Sequence, residues 1–131
     1  MTGRSYGPTA SGKSYLAVSY HQRNARKNPN KSRWKITEPH QYDVFVLSDG
    51  NKLHFPSNDV LVGLARNCEQ QLGCDDERLA KFVAPAVGSS EWHGFPVFSK
   101  EFDFSEEFLD TLEERKLIDR RTRNRIVKCK L

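Results

Sequence analysis

Apolar and polar residues change rhythm several times along this chain, and each change predicts an element. Val44-Phe45-Val46-Leu47 meets Asp49-Gly50, and the chain returns through Lys52-Leu53-His54-Phe55. An Asp-Gly pair between apolar runs is a strong local signal for a β-hairpin. With a two-residue loop, Val46 faces Leu53 and Val44 faces Phe55. Those four share one face, because side chains alternate along a strand. Arg33-Trp34-Lys35-Ile36-Thr37 alternates as well and predicts a third strand beside the hairpin, with Trp34 and Ile36 inward. A lone hairpin is marginal in water, so helices must cover this one.

The pattern beyond the hairpin predicts those helices. Ser57 or Asn58 can cap a helix in which Leu61, Leu64, Ala65, Cys68 and Leu72 recur at helical spacing before Gly73 stops it. A shorter helix follows over 76–84, with Leu79, Phe82 and Val83 inward. Residues 86–104 are irregular, and the aromatic stretch around Trp92, interrupted by Gly94 and Pro96, predicts a loop or edge strand folded over the core. Ser105 then caps a helix with Glu106 and Glu107 in its first turn and Phe108, Leu109 and Leu112 inside. Asp119 caps a second one, with Ile126 and Val127 inward. The expected fold is α+β: a small antiparallel sheet (hairpin 42–55 plus strand 33–37) packed by three to four helices at 58–72, 76–84 and 105–128. Residues 1–32 form a basic, partly flexible N-terminal segment, weakly helical over 14–27, and 33–131 form one domain ending in a basic helix.

Composition adds bounds. A chain of 131 residues that is 37% hydrophobic fits one domain with a real core. Three cysteines in a chain of this size read as reduced thiols, which points to the cytoplasm. Cys68 and Cys74 match no zinc-ligand spacing, so Cys68 is expected in the core, and no metal or cofactor is expected. No apolar run nears the roughly 18 residues of a membrane span.

Charge changes the picture most. The formal net charge of +4 divides into +8 over residues 1–37, −11 over 38–114 and +7 over 115–131. Two basic ends flanking an acidic middle point to a polyanionic partner. The residues expected to meet it are Arg23, Arg26, Lys27, Lys31 and Arg33 near the start, and Arg120, Arg121, Arg123, Arg125 and Lys128 near the end. Two short helices with a tight corner, the second basic, also have the outline of a helix-turn-helix, though the corner lacks a glycine. Nucleic acid, DNA or RNA, bound through its phosphates is the leading expectation. The rival is a protein-binding subunit or inhibitor module that sets its basic ends on an acidic protein surface, with Trp92, His93 and Phe95 as anchors.

One further motif bears on chemistry. Gly7-Pro8-Thr9-Ala10-Ser11-Gly12-Lys13-Ser14 satisfies G-x-x-x-x-G-K-[ST], in which Gly7 and Gly12 would free the backbone to cradle phosphates, Lys13 would neutralise them and Ser14 would hold magnesium. With Leu16-Ala17 after it, the stretch resembles the phosphate loop of the tRNA dimethylallyltransferases, over those positions only. Such a loop must follow a buried strand, and Met1 to Tyr6 supplies neither length nor apolar residues for one. An enzyme, whether a phosphate-loop protein or a small nuclease using His93 and nearby carboxylates, is therefore the third expectation. No Ser, Cys or carboxylate stands beside His93 in a recognisable catalytic spacing.

Overall fold

The computed structural model describes residues 3–22, 25, 31–87 and 89–131. Its centre is a five-stranded sheet built from β1 (Gly3–Tyr6), β2 (Ser14–Val18), β3 (Val60–Leu64), β4 (Leu79–Val83) and β5 (Glu91–Val97). The strands lie in the order β1-β2-β5-β4-β3. All neighbours are antiparallel except β2 and β5, which run parallel with Ser14 beside Glu91 and Tyr15 beside Trp92. Three α-helices flank the sheet: α1 (Glu38–Gly50), α2 (Glu106–Glu114) and α3 (Arg120–Val127). The α+β class stands, with a mixed sheet in place of a small antiparallel one.

The expected hairpin over 42–55 is instead helix α1. Pro39 sits in its first turn, where a fixed φ suits a helix start and the missing N–H costs nothing. Gln41, Val44, Phe45, Ser48 and Asp49 are buried at helical spacing. The Asp-Gly pair closes the helix rather than a hairpin, and Lys52 at φ 55° turns the chain away. Val46, expected inward, is exposed. The expected strand 33–37 reduces to one isolated bridge, Trp34 to Gly73. The expected helices 58–72 and 76–84 are strands β3 and β4, and Ser14–Val18, expected to begin a helix, is strand β2. Beyond it Ser19–His21 forms a single 3-10 turn, and Arg23, Arg26 and Lys27 of that expected helix lie outside the described residues.

Expectation and structure agree at the C-terminal helices. Ser105 accepts a hydrogen bond from the Phe108 N–H, and Asp119 accepts one from the Thr122 N–H. These caps satisfy backbone donors that have no partner within the helix. Ile126 is buried, whereas Val127 is exposed and Thr122 takes the inner position.

Alternation along the strands divides the core into two layers. On one face Tyr15, Ala17, Leu61, Ala80, Phe82 and Trp92 pack with Trp34 and with Val44 and Phe45 of α1. On the other, Val62, Leu64, Leu79 and Val97 pack with Leu109 and Leu112 of α2, Ile126 of α3, and Leu117 and Ile118 of the corner between them. Buried polar groups on the α1 side find partners, as they must. Tyr15 Oη donates to Gln41 Oε1 at 2.9 Å, and Ser48 Oγ donates to the Val62 carbonyl at 2.7 Å. Burial holds the Tyr15 phenol above its ordinary pKa, so it remains a donor. Gly94 lies opposite Phe82 in the β4–β5 register, and a Cβ there would collide with the Phe82 ring. The ring occupies the space that Gly94 leaves open.

Candidate functional site

The phosphate-loop match is the turn between β1 and β2, two antiparallel strands. Ser14 begins a strand, so no helix N-terminus is present to meet a phosphate. The loop closes instead on a carboxylate at the end of α1. Lys13 Nζ lies 2.9 Å from Asp49 Oδ1, while Thr9 Oγ1 and Ser11 Oγ donate to Oδ2 at 2.7 and 2.6 Å. Burial acts to raise the Asp49 pKa, but the hydrogen bonds from Ser11, Lys13 and Thr9 outweigh it and hold the carboxyl below the ordinary range. Gly7 and Gly12 supply the positive φ angles of 121° and 87° that the turn requires. With Lys13 engaged this way, calorimetric titration with ATP and magnesium is expected to show no binding heat. Micromolar, magnesium-dependent binding would overturn that reading.

Chemistry collects elsewhere, where the open end of β5 meets the chain that follows β2. A cavity of about 570 Å³ is lined there by Tyr20, His21, Lys31, Arg33, His93, Phe95, Phe98 and Lys100, among others. Register explains the convergence. Trp92 packs against Phe45 of α1, so His93 and Phe95, at the alternate positions of β5, project from the opposite face. His21 stacks on Phe95 with ring centroids 5.2 Å apart, and its Nδ1–H donates to the Ser32 carbonyl at 2.7 Å. The Lys31 ammonium lies 4.3 Å from the centre of the Tyr20 ring. Burial lowers the pKa of both His21 and His93, so both imidazoles are neutral at pH 7. The His93 Nδ1 is buried without a hydrogen-bond partner among the described residues. Glu77 also lines the cavity, and burial raises its carboxyl pKa.

A second cleft, of about 330 Å³, adjoins the first and shares Phe98 and Lys100 with it. Its other walls include Arg78, Arg125, Cys129 and Lys130. Arg125 belongs to α3, and Arg121 and Lys128 lie four residues before and three after it, on the same exposed side. These cations differ from the other arginines of the helix. Arg123 is held by Asp110 at 2.5 Å and Glu113 at 2.9 Å, which raises its pKa and ties α3 to α2. Arg120 reaches Glu113 at 3.4 Å from an exposed position. Arg78 is paired with Asp76 at 3.0 Å.

The structure therefore sorts the expected contact residues. It brings Lys31, Arg33, His93 and Phe95 into the first cavity and Arg125 into the second. Trp92 is buried against Phe45 and offers no ring to a partner. Tyr20, His21, Glu77, Phe98, Lys100 and Lys130 were not expected at a site. The strand alternation that aims His93 and Phe95 the same way was legible, but the approach of residues 20–21 depends on the parallel β2–β5 pairing. No helix of the described residues is long and apolar enough to cross a membrane. No family model, curated protein or solved structure matches the chain.

Proposed function

We propose that this chain binds single-stranded nucleic acid, DNA or RNA, along a path from α3 through the two joined clefts. The observation that carries the reading is the cleft pair itself. Arg121, Arg125 and Lys128 form an exposed ridge that runs into a cleft holding Lys130 and Lys100, and Phe98 and Lys100 open into a second cleft holding Lys31 and Phe95. None of those six cations is in an ion pair among the described residues. Cations placed along a groove follow a phosphate backbone, and exposed aromatic rings beside them stack on unpaired bases. Phe98 and Tyr20 are both more exposed than large apolar side chains usually are. A duplex would hide the base faces that those rings are placed to meet.

Salt titration tests the reading. If all six cations meet phosphates, affinity for a short single strand should fall about 300-fold between roughly 50 and 200 mM salt, from a slope of about −0.7 per contact. Replacing Arg121, Arg125 and Lys128 with Ala should reduce that slope by about 2 and leave the thermal midpoint nearly unchanged, since all three are exposed. Phe98→Ala should weaken binding by about tenfold or more through a lost stack. Absence of binding to any single strand at 50 mM salt would sink the reading and favour a protein partner with an acidic surface.

A further inference from the structure

We propose that Phe55, Phe104 and Phe108, clustered at the β3 edge of the sheet, form a docking surface for another protein. The occupant is a segment that presents apolar side chains between lysines or arginines. Phe55 enters the cluster from the stretch that runs along β3, the outermost strand, and its N–H donates to the Val60 carbonyl at 3.2 Å. Phe104 precedes the Ser105 cap of α2, and Phe108 lies in the first turn of that helix. The Phe104 and Phe108 rings stack with centroids 5.2 Å apart and planes within 4°. Phe55 meets both, at 5.3 and 5.0 Å. All three pack one side against the core and remain only half-buried, as do Val60 and Leu47 beside the same core. Aromatic rings gathered with one side in water have the character of an interface centre.

The charges around the rings select the partner. Residues 101–114 carry seven acids and no base. Glu101, Asp110 and Glu113 are taken up by Lys81, Arg123 and Arg120. Asp103, Glu106 and Glu107 beside the Phe104 and Phe108 positions, and Asp59 beside Val60, are exposed and form no ion pair among the described residues. The helix dipole accounts for Glu106 and Glu107, whereas Asp59 and Asp103 lie outside the helix. An apolar centre with an acidic rim attracts a cationic partner and repels nucleic acid.

A second copy fits this surface poorly. Two copies meeting through it would set one acidic rim against the other. Joined head to tail, α3 would bring a single exposed apolar side chain, Val127, to three rings. Phe55, Phe104 and Phe108 line neither cleft, so a bound strand leaves them free.

NMR titration with synthetic peptides is the test. The probe carries leucines at helical spacing with lysines between them, and its controls replace every lysine with glutamate or every leucine with serine. The leucine–lysine peptide should shift signals at Phe55, Phe104 and Phe108 and bind at least about tenfold tighter than either control. Phe108→Ala, and separately Asp103→Asn with Glu107→Gln, should each weaken it by about tenfold. Single-strand affinity should not fall in either variant; a parallel loss would put both ligands on one surface and overturn the assignment. Thermal midpoints report folding, and the exposed pair Asp103 and Glu107 carries the test if Phe108→Ala does not fold. Controls that bind as tightly, shifts confined to other surfaces, or no shift at millimolar leucine–lysine peptide would overturn the docking surface. So would self-association of the wild type, seen by sedimentation and abolished by Phe108→Ala, because the occupant would then be a second copy.

Discussion

Phe82→Ala is expected to destabilise the protein by about 3–5 kcal/mol and lower its thermal midpoint by on the order of 10 °C. Phe82 is fully buried and is the hub of the layer between the sheet and α1. Its ring centroid lies 5.1 Å from Phe45, 5.7 Å from Tyr15 and 6.1 Å from Trp34. Those partners come from α1, from β2 and from the segment that bridges to Gly73, so the loss loosens three connections at once. Collapse cannot heal the hole readily, because Gly94 and Gly63 beneath it carry no side chain to move in. Chemical denaturation of both proteins measures the difference. A loss below about 1 kcal/mol would mean that the layer is not packed as described.

Asp49→Ala should cost about 3 kcal/mol, the next largest effect. The carboxylate accepts from Thr9, Ser11 and Lys13, and its side chain is only 5% exposed. Removing it takes the acceptor from the buried Thr9 hydroxyl, which keeps only the Lys13 N–H and the Ser11 hydroxyl as neighbours, and frees the β1–β2 turn from α1. Asp49→Asn keeps the shape and separates the charge from the packing. Because the folded-state pKa is depressed, the charge-dependent stability is present above the unfolded carboxyl value of about 3.9 and is lost as pH falls through the folded value. Glu77 has the opposite sign: its raised pKa gives stability at low pH that is lost as pH rises through the folded value. The measurement is therefore the difference in thermal midpoint between wild type and Asp49→Asn, which should be large at pH 7 and shrink toward pH 3. A constant difference would show that the charge is irrelevant and only the shape matters.

What the sequence revealed depended on how local the deciding chemistry was. Ser105 and Asp119 cap helices through atoms three residues away, and those helices were legible. Helix α1 was not, because three of its five buried positions, Gln41, Ser48 and Asp49, are polar residues satisfied from other elements, by Tyr15, by Val62 and by the turn of Thr9, Ser11 and Lys13. With those three removed from the count, Val44-Phe45-Val46-Leu47 reads as strand. Strands β3 and β4 failed in the other direction. Val60–Leu64 is buried on both faces, and a short run apolar on both sides carries no period to separate strand from helix. At the site, the charge asymmetry was visible in the chain, whereas the neutralisation of Arg123 by α2 was not.

The parallel seam between β2 and β5 has a consequence of its own. It joins an N-terminal hairpin to a β3–β4–β5 meander through only two paired positions, 77 residues apart in sequence at each. Tyr20 and His21 continue from one side of that seam, and His93 and Phe95 stand on the other. The cavity therefore exists only while the seam is closed, and a local opening there would erase it without unfolding the meander or its two C-terminal helices. Any ligand that fills the cavity must in turn hold the seam shut, by an amount set by its concentration relative to its dissociation constant. Amide exchange at β2, slowed by ligand while exchange within β3 and β4 stays the same, is the signature of that coupling.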